Sequence, residues 1–201
     1  MIVAFDGLDK NLIEEYNLSK VCQDEFGTIE NSEGINQIVT DELYASFITG
    51  KTYRSHGVMG LGRPSSDLID KIEKLDRYWI FRKSRGFRKK FYKLAPLINY
   101  STRKYNKKDI RSDTIFEKLQ NSLAIDIPSY NVGYHIKLLE VLEQGNLEEA
   151  EKELQRFTKW KKWELFDEME KDHSLIMAHF HKPDHIHHWY WEVGKMDKVE
   201  E

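Results

Sequence analysis

Four residues have types and positions that suit catalysis or metal binding: Asp6, Thr40, Asp184 and His188. Asp184 and His188 stand four apart, which on a helix places both side chains on one face, close enough to share a metal ion. A carboxylate with an imidazole suits zinc or manganese. Asp6 directly follows the apolar run Met1–Phe5, and Asp184 follows the apolar run Ser174–Phe180 within a few residues. Ligands of open α/β sheets bind outside the carboxyl ends of the strands, so both acids fall on the functional edge of one sheet. The bland alternative for each is a turn residue or a helix cap. Thr40 precedes a helical pattern, where its hydroxyl is an N-cap or, beside a metal, a nucleophile. A helix start also turns unpaired N–H groups toward an anion. Five histidines lie close together, His179, His181, His185, His187 and His188, and the first two would share one strand face.

The elements that must hold these residues alternate. Met1–Phe5, Ser122–Ile127 and Ser174–Phe180 are short apolar runs of the kind buried on both faces of a parallel sheet. Helical patterns cover Asp9–Tyr16, Thr40–Ile48 (closed by Gly50), Ser65–Tyr78, Tyr134–Gln144 and Leu147–Met169, and another begins at His185. The stretch 22–32 is weakly patterned. The alternation predicts a three-layer α/β/α fold on a mostly parallel, incomplete sheet. Residues 1–62 and 121–201 form the core of a single domain, with an insertion or cap over about 63–120.

The 201 residues carry 31 Lys+Arg and 34 Asp+Glu, for a net charge of −3, and 40% are hydrophobic. That balance excludes a globally basic nucleic-acid binder. It conceals a local asymmetry: residues 82–111 hold twelve Lys/Arg and a single acid, Asp109, interleaved with Phe87, Phe91, Tyr92, Tyr100 and Tyr105. Such a segment can track a phosphate backbone and stack bases, draw anionic substrates to a nearby site, or simply be a solvated surface. One cysteine, Cys22, excludes an intrachain disulfide framework and a cysteine-rich zinc site. Neither a membrane span nor a signal peptide is expected, and the reading is a cytoplasmic protein.

Three stretches together resemble the alkaline phosphatase superfamily, in its type I phosphodiesterase/nucleotide pyrophosphatase-like branch. Met1–Asp9 (MIVAFDGLD) resembles that family's first strand and metal-binding Asp-Gly. Thr40–Lys51 followed by Ser55-His56-Gly57-Val58 resembles its nucleophile helix, with the pattern Thr, aromatic-Ala-Ser, Thr-Gly, His-Gly. Phe180–His188 resembles its later Asp-x-x-x-His motif. The resemblance covers about residues 1–60 and 120–192. It implies a metal-dependent phosphoester hydrolase acting on a phosphate ester or nucleotide, with two divalent ions, zinc first and manganese or magnesium as alternatives. Thr40 would be the nucleophile and a metal ligand, Asp6 would bind the ion that activates it, and Asp184 and His188 would bind the second.

The chain departs from the family pattern at two places. Asp41 and Glu42 follow Thr40 directly, where they suit the helix dipole but would repel a phosphate that they faced. The family's later Ser-Asp-His-Gly motif and final histidine have no counterpart, because Asp172-His173 lies ahead of a strand rather than after one. The expectation is that the local histidines complete one metal site, or that a second chain or a downstream segment supplies what is missing. The alternative is an inactive relative serving as a binding module, for nucleic acid through residues 82–111.

Overall fold

The computed structural model describes residues 1–8, 10–21, 24, 25, 27, 33–60, 62–64, 102–133, 138, 141, 142 and 144–190. The helix expected over 65–78, the basic stretch 82–101, and most of 22–32 and 134–144 lie outside the described residues. In chain order the elements are β1 (Ile2–Phe5), α1 (Lys10–Glu15), α2 (Thr40–Thr49), α3 (Tyr53–His56), β2 (Arg63–Pro64), β3 (Thr102–Arg103), α4 (Ile115–Lys118), β4 (Ser122–Ile125), α5 (Leu147–Met169), β5 (Leu175–Phe180) and α6 (Lys182–Tyr190).

The three apolar runs pair as parallel strands in the order β1-β5-β4. Ile2 stands opposite Met177 and Ser122 opposite Leu175, so β5 is central and all three carboxyl ends point the same way. Every residue of β5 is buried, as a central parallel strand requires. Its side chains alternate between two layers. Leu175 and Met177, with Ile2, Ala4 and Ala124, pack against Tyr44 and Ile48 of α2 and Phe116 of α4. Ile176, Ala178 and Phe180, with Leu123 and Ile125, pack against Leu165 of α5. Each fully buried Leu, Ile, Met or Phe among them contributes about 1.5–3 kcal/mol relative to exposure. The architecture is therefore the three-layer α/β/α sandwich, with a small open sheet. On the α5 side of that sheet, Val3 and Phe5 of β1 remain exposed, as do Trp163 and Phe166 of α5. No helix among the described residues is long and apolar enough to cross a membrane.

Two helix starts differ from expectation, and both differences matter for the site. Thr40 is not the N-cap of α2. Val39 holds that extended position and offers no side-chain cap, and Thr40 is the first helical residue. Helix α6 begins at Lys182, three residues before His185, because Pro183 is well suited to a first turn, where a missing N–H costs nothing. Asp184 therefore sits inside that first turn.

From residue 102 the basic segment is part of the described body. Arg63 pairs with Arg103 and Pro64 with Thr102, so the two-residue strands β2 and β3 bring both ends of the intervening chain together. Arg103 then forks onto Asp109 through two 2.6 Å hydrogen bonds. Tyr105 packs with Ala45 and Val58 and donates its hydroxyl to the Met59 carbonyl at 2.8 Å. Residues 102–120, expected in the insertion, thus pack on the core.

His56, fully buried, ties α3 back to α2. Its Nδ1 accepts from the Val58 N–H at 3.1 Å, which leaves Nε2–H to donate to Ser46 Oγ at 3.0 Å. Burial holds this imidazole neutral, with its pKa pulled down to about 4. An unfolded histidine takes up a proton near pH 6.5. Below that pH the unfolded state binds a proton that the folded state refuses. Stability contributed by His56 therefore falls by about 1.4 kcal/mol per pH unit between roughly 6 and 4. Urea unfolding at stepped pH should show this slope reduced in His56→Gln. An unchanged slope would contradict the buried neutral assignment.

Candidate active site

All three parallel strands end in a residue with a functional side chain. Asp6 follows β1, Asp126 follows β4 and His181 follows β5. Pairing continues one step past β1, where the Asp6 N–H donates to the Phe180 carbonyl at 3.1 Å. Gly7 then turns with φ +71°, and a Cβ there would lie 2.6 Å from the Cα of Asp184. Only glycine allows this approach, which brings the first turn of α6 beside the end of β1.

Helix α2 enters the site by its N-terminus. Thr40 Oγ1 donates to Asp6 Oδ2 at 3.0 Å instead of capping its own helix. With Val39 supplying no cap, the first-turn N–H groups gain no side-chain acceptor from the N-cap position. The two acids after Thr40 are turned inward. Glu42, fully buried, accepts from the backbone N–H groups of Asn36 and Gly60. The Ser129 hydroxyl is shared between the Asp41 carbonyl at 2.7 Å and Asp41 Oδ1 at 3.1 Å, while Oδ2 is buried with no hydrogen bond among the described residues, 4.0 Å from Lys104 Nζ. Lys104 belongs to the basic segment, so part of that charge does reach the site.

The histidines of β5 project into the same place. His179 and His181 lie on one face of the strand with ring centroids 4.0 Å apart, edge to face. His179 is 0% exposed, its ring 4.5 Å from that of Tyr44, and among the described residues neither ring nitrogen has a hydrogen-bond partner. An unmade buried hydrogen bond costs about 1–3 kcal/mol. His179 Nε2 stands 3.9 Å from Asp6 Oδ2, beyond a hydrogen bond. Among the described residues, Asp6, His179 and His181 bring three ligand atoms within 4.8 Å of one another. Burial and then the charge of Asp184 push the Asp6 carboxyl above its usual range, against the Thr40 hydrogen bond and His181. Burial pulls the His179 imidazole down to about 2.

Behind this group lies a buried ion pair. Lys161 of α5, 1% exposed, donates to Asp126 Oδ2 at 2.6 Å and to the His179 carbonyl at 2.8 Å. Asp126 also accepts from the Gly133 N–H at 2.9 Å and faces His181 Nε2 at 3.4 Å. Burial alone would raise the Asp126 pKa; the His181 hydrogen bond and the Lys161 ammonium outweigh it and hold the carboxylate below its usual range.

The sequence-predicted residues are therefore partly united. Asp6 and Thr40 are in contact, and the charge of Asp184 is felt at Asp6. Asp184 and His188 face each other at 3.4 Å, as their spacing predicts, but the His188 side chain is 77% exposed. Asp172-His173 lies at the opposite, amino end of β5, where His173 Nε2 meets Glu168 at 2.7 Å. Asp126 and Lys161 are additions. Asp126 had a readable signal, since Ser122–Asp126 (SLAID) repeats the apolar-run-then-acid pattern of Ile2–Asp6 (IVAFD). Lys161 had none, standing in Lys159-Trp160-Lys161-Lys162, where nothing distinguishes the one that turns inward.

No family model, no curated protein and no solved structure matches the chain.

Removing one partner of a buried pair strands the other's charge. Lys161→Met should cost about 3–5 kcal/mol in urea unfolding, and Lys161→Met with Asp126→Asn should recover most of it. A double variant no more stable than the single one would show that the two groups do not act as a pair.

Proposed function

We propose that this protein is a metal-dependent phosphoester hydrolase in which Thr40 attacks phosphorus. The observation that carries the reading is the 3.0 Å hydrogen bond from Thr40 Oγ1 to Asp6 Oδ2, made at a helix N-terminus above the carboxyl ends of parallel strands. The resemblance of Met1–Asp9, Thr40–Val58 and Phe180–His188 to the phosphodiesterase/nucleotide pyrophosphatase-like branch supports the same chemistry.

In this reading Asp6 orients the hydroxyl and receives its proton as Oγ1 bonds to phosphorus. The bond from phosphorus to the ester oxygen breaks, and that oxygen takes a proton from solvent to leave as an alcohol. Water then attacks phosphorus, the Oγ1–P bond breaks, Oγ1 regains the proton from Asp6, and phosphate (or a phosphate monoester from a diester) is released. The first-turn N–H groups of α2 and the Lys104 ammonium favour the anionic substrate. Asp6, Asp41 and Asp126 by themselves would repel a phosphate. A divalent cation bound among these acids would offset their charge and that building on the transferring oxygens. Asp184 and His188 offer a further carboxylate and imidazole to a second cation. That pair falls short of the three protein ligands usual in a catalytic zinc site, and the rest would come from a second chain or a downstream segment. The substrate class is a phosphate monoester or diester, nucleotides included. A single cysteine fits a place in the cytoplasm.

With zinc or manganese supplied, aryl phosphate or bis-aryl phosphate hydrolysis should fall at least ~10³-fold in Thr40→Ala, while Thr40→Ser keeps measurable turnover. Undiminished turnover in Thr40→Ala would exclude the nucleophile.

A further inference from the structure

We infer that Asp6, His179 and His181 form a transition-metal site, a ligand set built from the strand ends and independent of the Asp184–His188 pair. Its use in catalysis rests on the function proposed above; the binding itself does not.

Two independent observations point to it. The first is convergence: a carboxylate and two imidazoles bring ligand atoms within 4.8 Å of one another. The second is the state of His179. Its side chain is fully buried on the central strand, neither ring nitrogen has a hydrogen-bond partner among the described residues, and Nε2 faces Asp6 Oδ2 across 3.9 Å. Metal–ligand lengths near 2.1 Å put tetrahedral ligand atoms about 3.4 Å apart, so a shift of about half an ångström would close this pair on one ion.

The neighbours are arranged as metal-site neighbours usually are. A ligating histidine commonly gives its other nitrogen to a carboxylate, which fixes the ring and its tautomer. Asp126 Oδ2 stands 3.4 Å from His181 Nε2, placed for this role, and Lys161 fixes Asp126 in turn. Lys161 also holds the carbonyl of His179 itself at 2.8 Å. The two liganding carriers Asp6 and His181 are only partly buried, so an ion can reach the group from the strand-end side. Two nitrogens and one oxygen favour zinc or cobalt over magnesium, which prefers oxygen alone. Thr40 Oγ1, already on Asp6, is the neighbouring oxygen.

The test titrates the full chain with Zn(II) by equilibrium dialysis and follows Co(II) by its visible absorption. The tight equivalent should be lost, with affinity falling more than ~100-fold, in both His179→Leu and His181→Ala, and should fall about 10–100-fold in Asp126→Asn. His179→Leu replaces an unpartnered buried imidazole by an apolar side chain and should stay folded. His181→Ala, at a partly exposed position, carries the test if it does not. Asp184→Asn and His188→Ala should keep the tight equivalent, and Thr40→Ala should keep it while losing hydrolysis. Tight binding that survives both His179→Leu and His181→Ala, that vanishes with His188→Ala instead, or that is missing from the wild type would overturn the site. Hydrolysis that survives Thr40→Ala in metal-loaded protein would overturn the function and leave the site standing.

Discussion

The Lys161 ammonium is the constraint on which the site depends. It is buried, with Asp126 and the His179 carbonyl in place of water. Moving a charge out of water costs several kcal/mol, so this arrangement holds only while its partners stay in place. Those partners belong to the end of β4 and to the central strand, and the lysine belongs to the helix that links them. One cation thus locks α5 against the sheet, keeps Asp126 ionised and turns that carboxylate toward His181. The phenyl rings of Phe157 and Phe180, 4.7 and 5.3 Å from Nζ, complete its surroundings and exclude solvent.

Around that anchor the parallel topology does the positioning. With β5 central, the residues after β1, β4 and β5 must lie side by side at one edge. Helix α2 then lays its first turn over them, with Tyr44 one turn beyond Thr40 and packed on His179. Burial, with Asp6 beside it, pushes the Tyr44 hydroxyl well above its usual range, so it remains a neutral phenol. The resulting cluster is rich in carboxylate and imidazole acceptors and poor in donors. Such a set attracts a cation before it attracts a phosphate, so the proposed phosphoester chemistry depends on the proposed metal.

Much of this was legible in the sequence. The apolar runs gave the parallel strands, and Asn146 with Gly145 marked the start of α5, whose span Leu147–Met169 matches its pattern residue for residue. Asp6 and Thr40 were readable from position. What local pattern could not supply was the partner of each side chain. Thr40 looks like an N-cap because threonine favours that position, yet it is the first helical residue, its hydroxyl goes to Asp6, and Val39 stands at the N-cap position with no capping side chain. Asp41 and Glu42 look like a repulsive pair until Ser129, Asn36 and Gly60 turn them inward. Lys161 could be found only from the contact across 35 residues that makes it buried.

The claim that Thr40 carries the transferred phosphoryl group is tested most directly by trapping it. Metal-loaded protein mixed with excess aryl phosphate and quenched in acid should yield a Thr40-containing peptide heavier by one phosphoryl group. The label should be absent from Thr40→Ala and should disappear when quenching is delayed until substrate is exhausted. Steady hydrolysis with Thr40 unlabelled at every quench time, or with the label on another residue, would contradict the account.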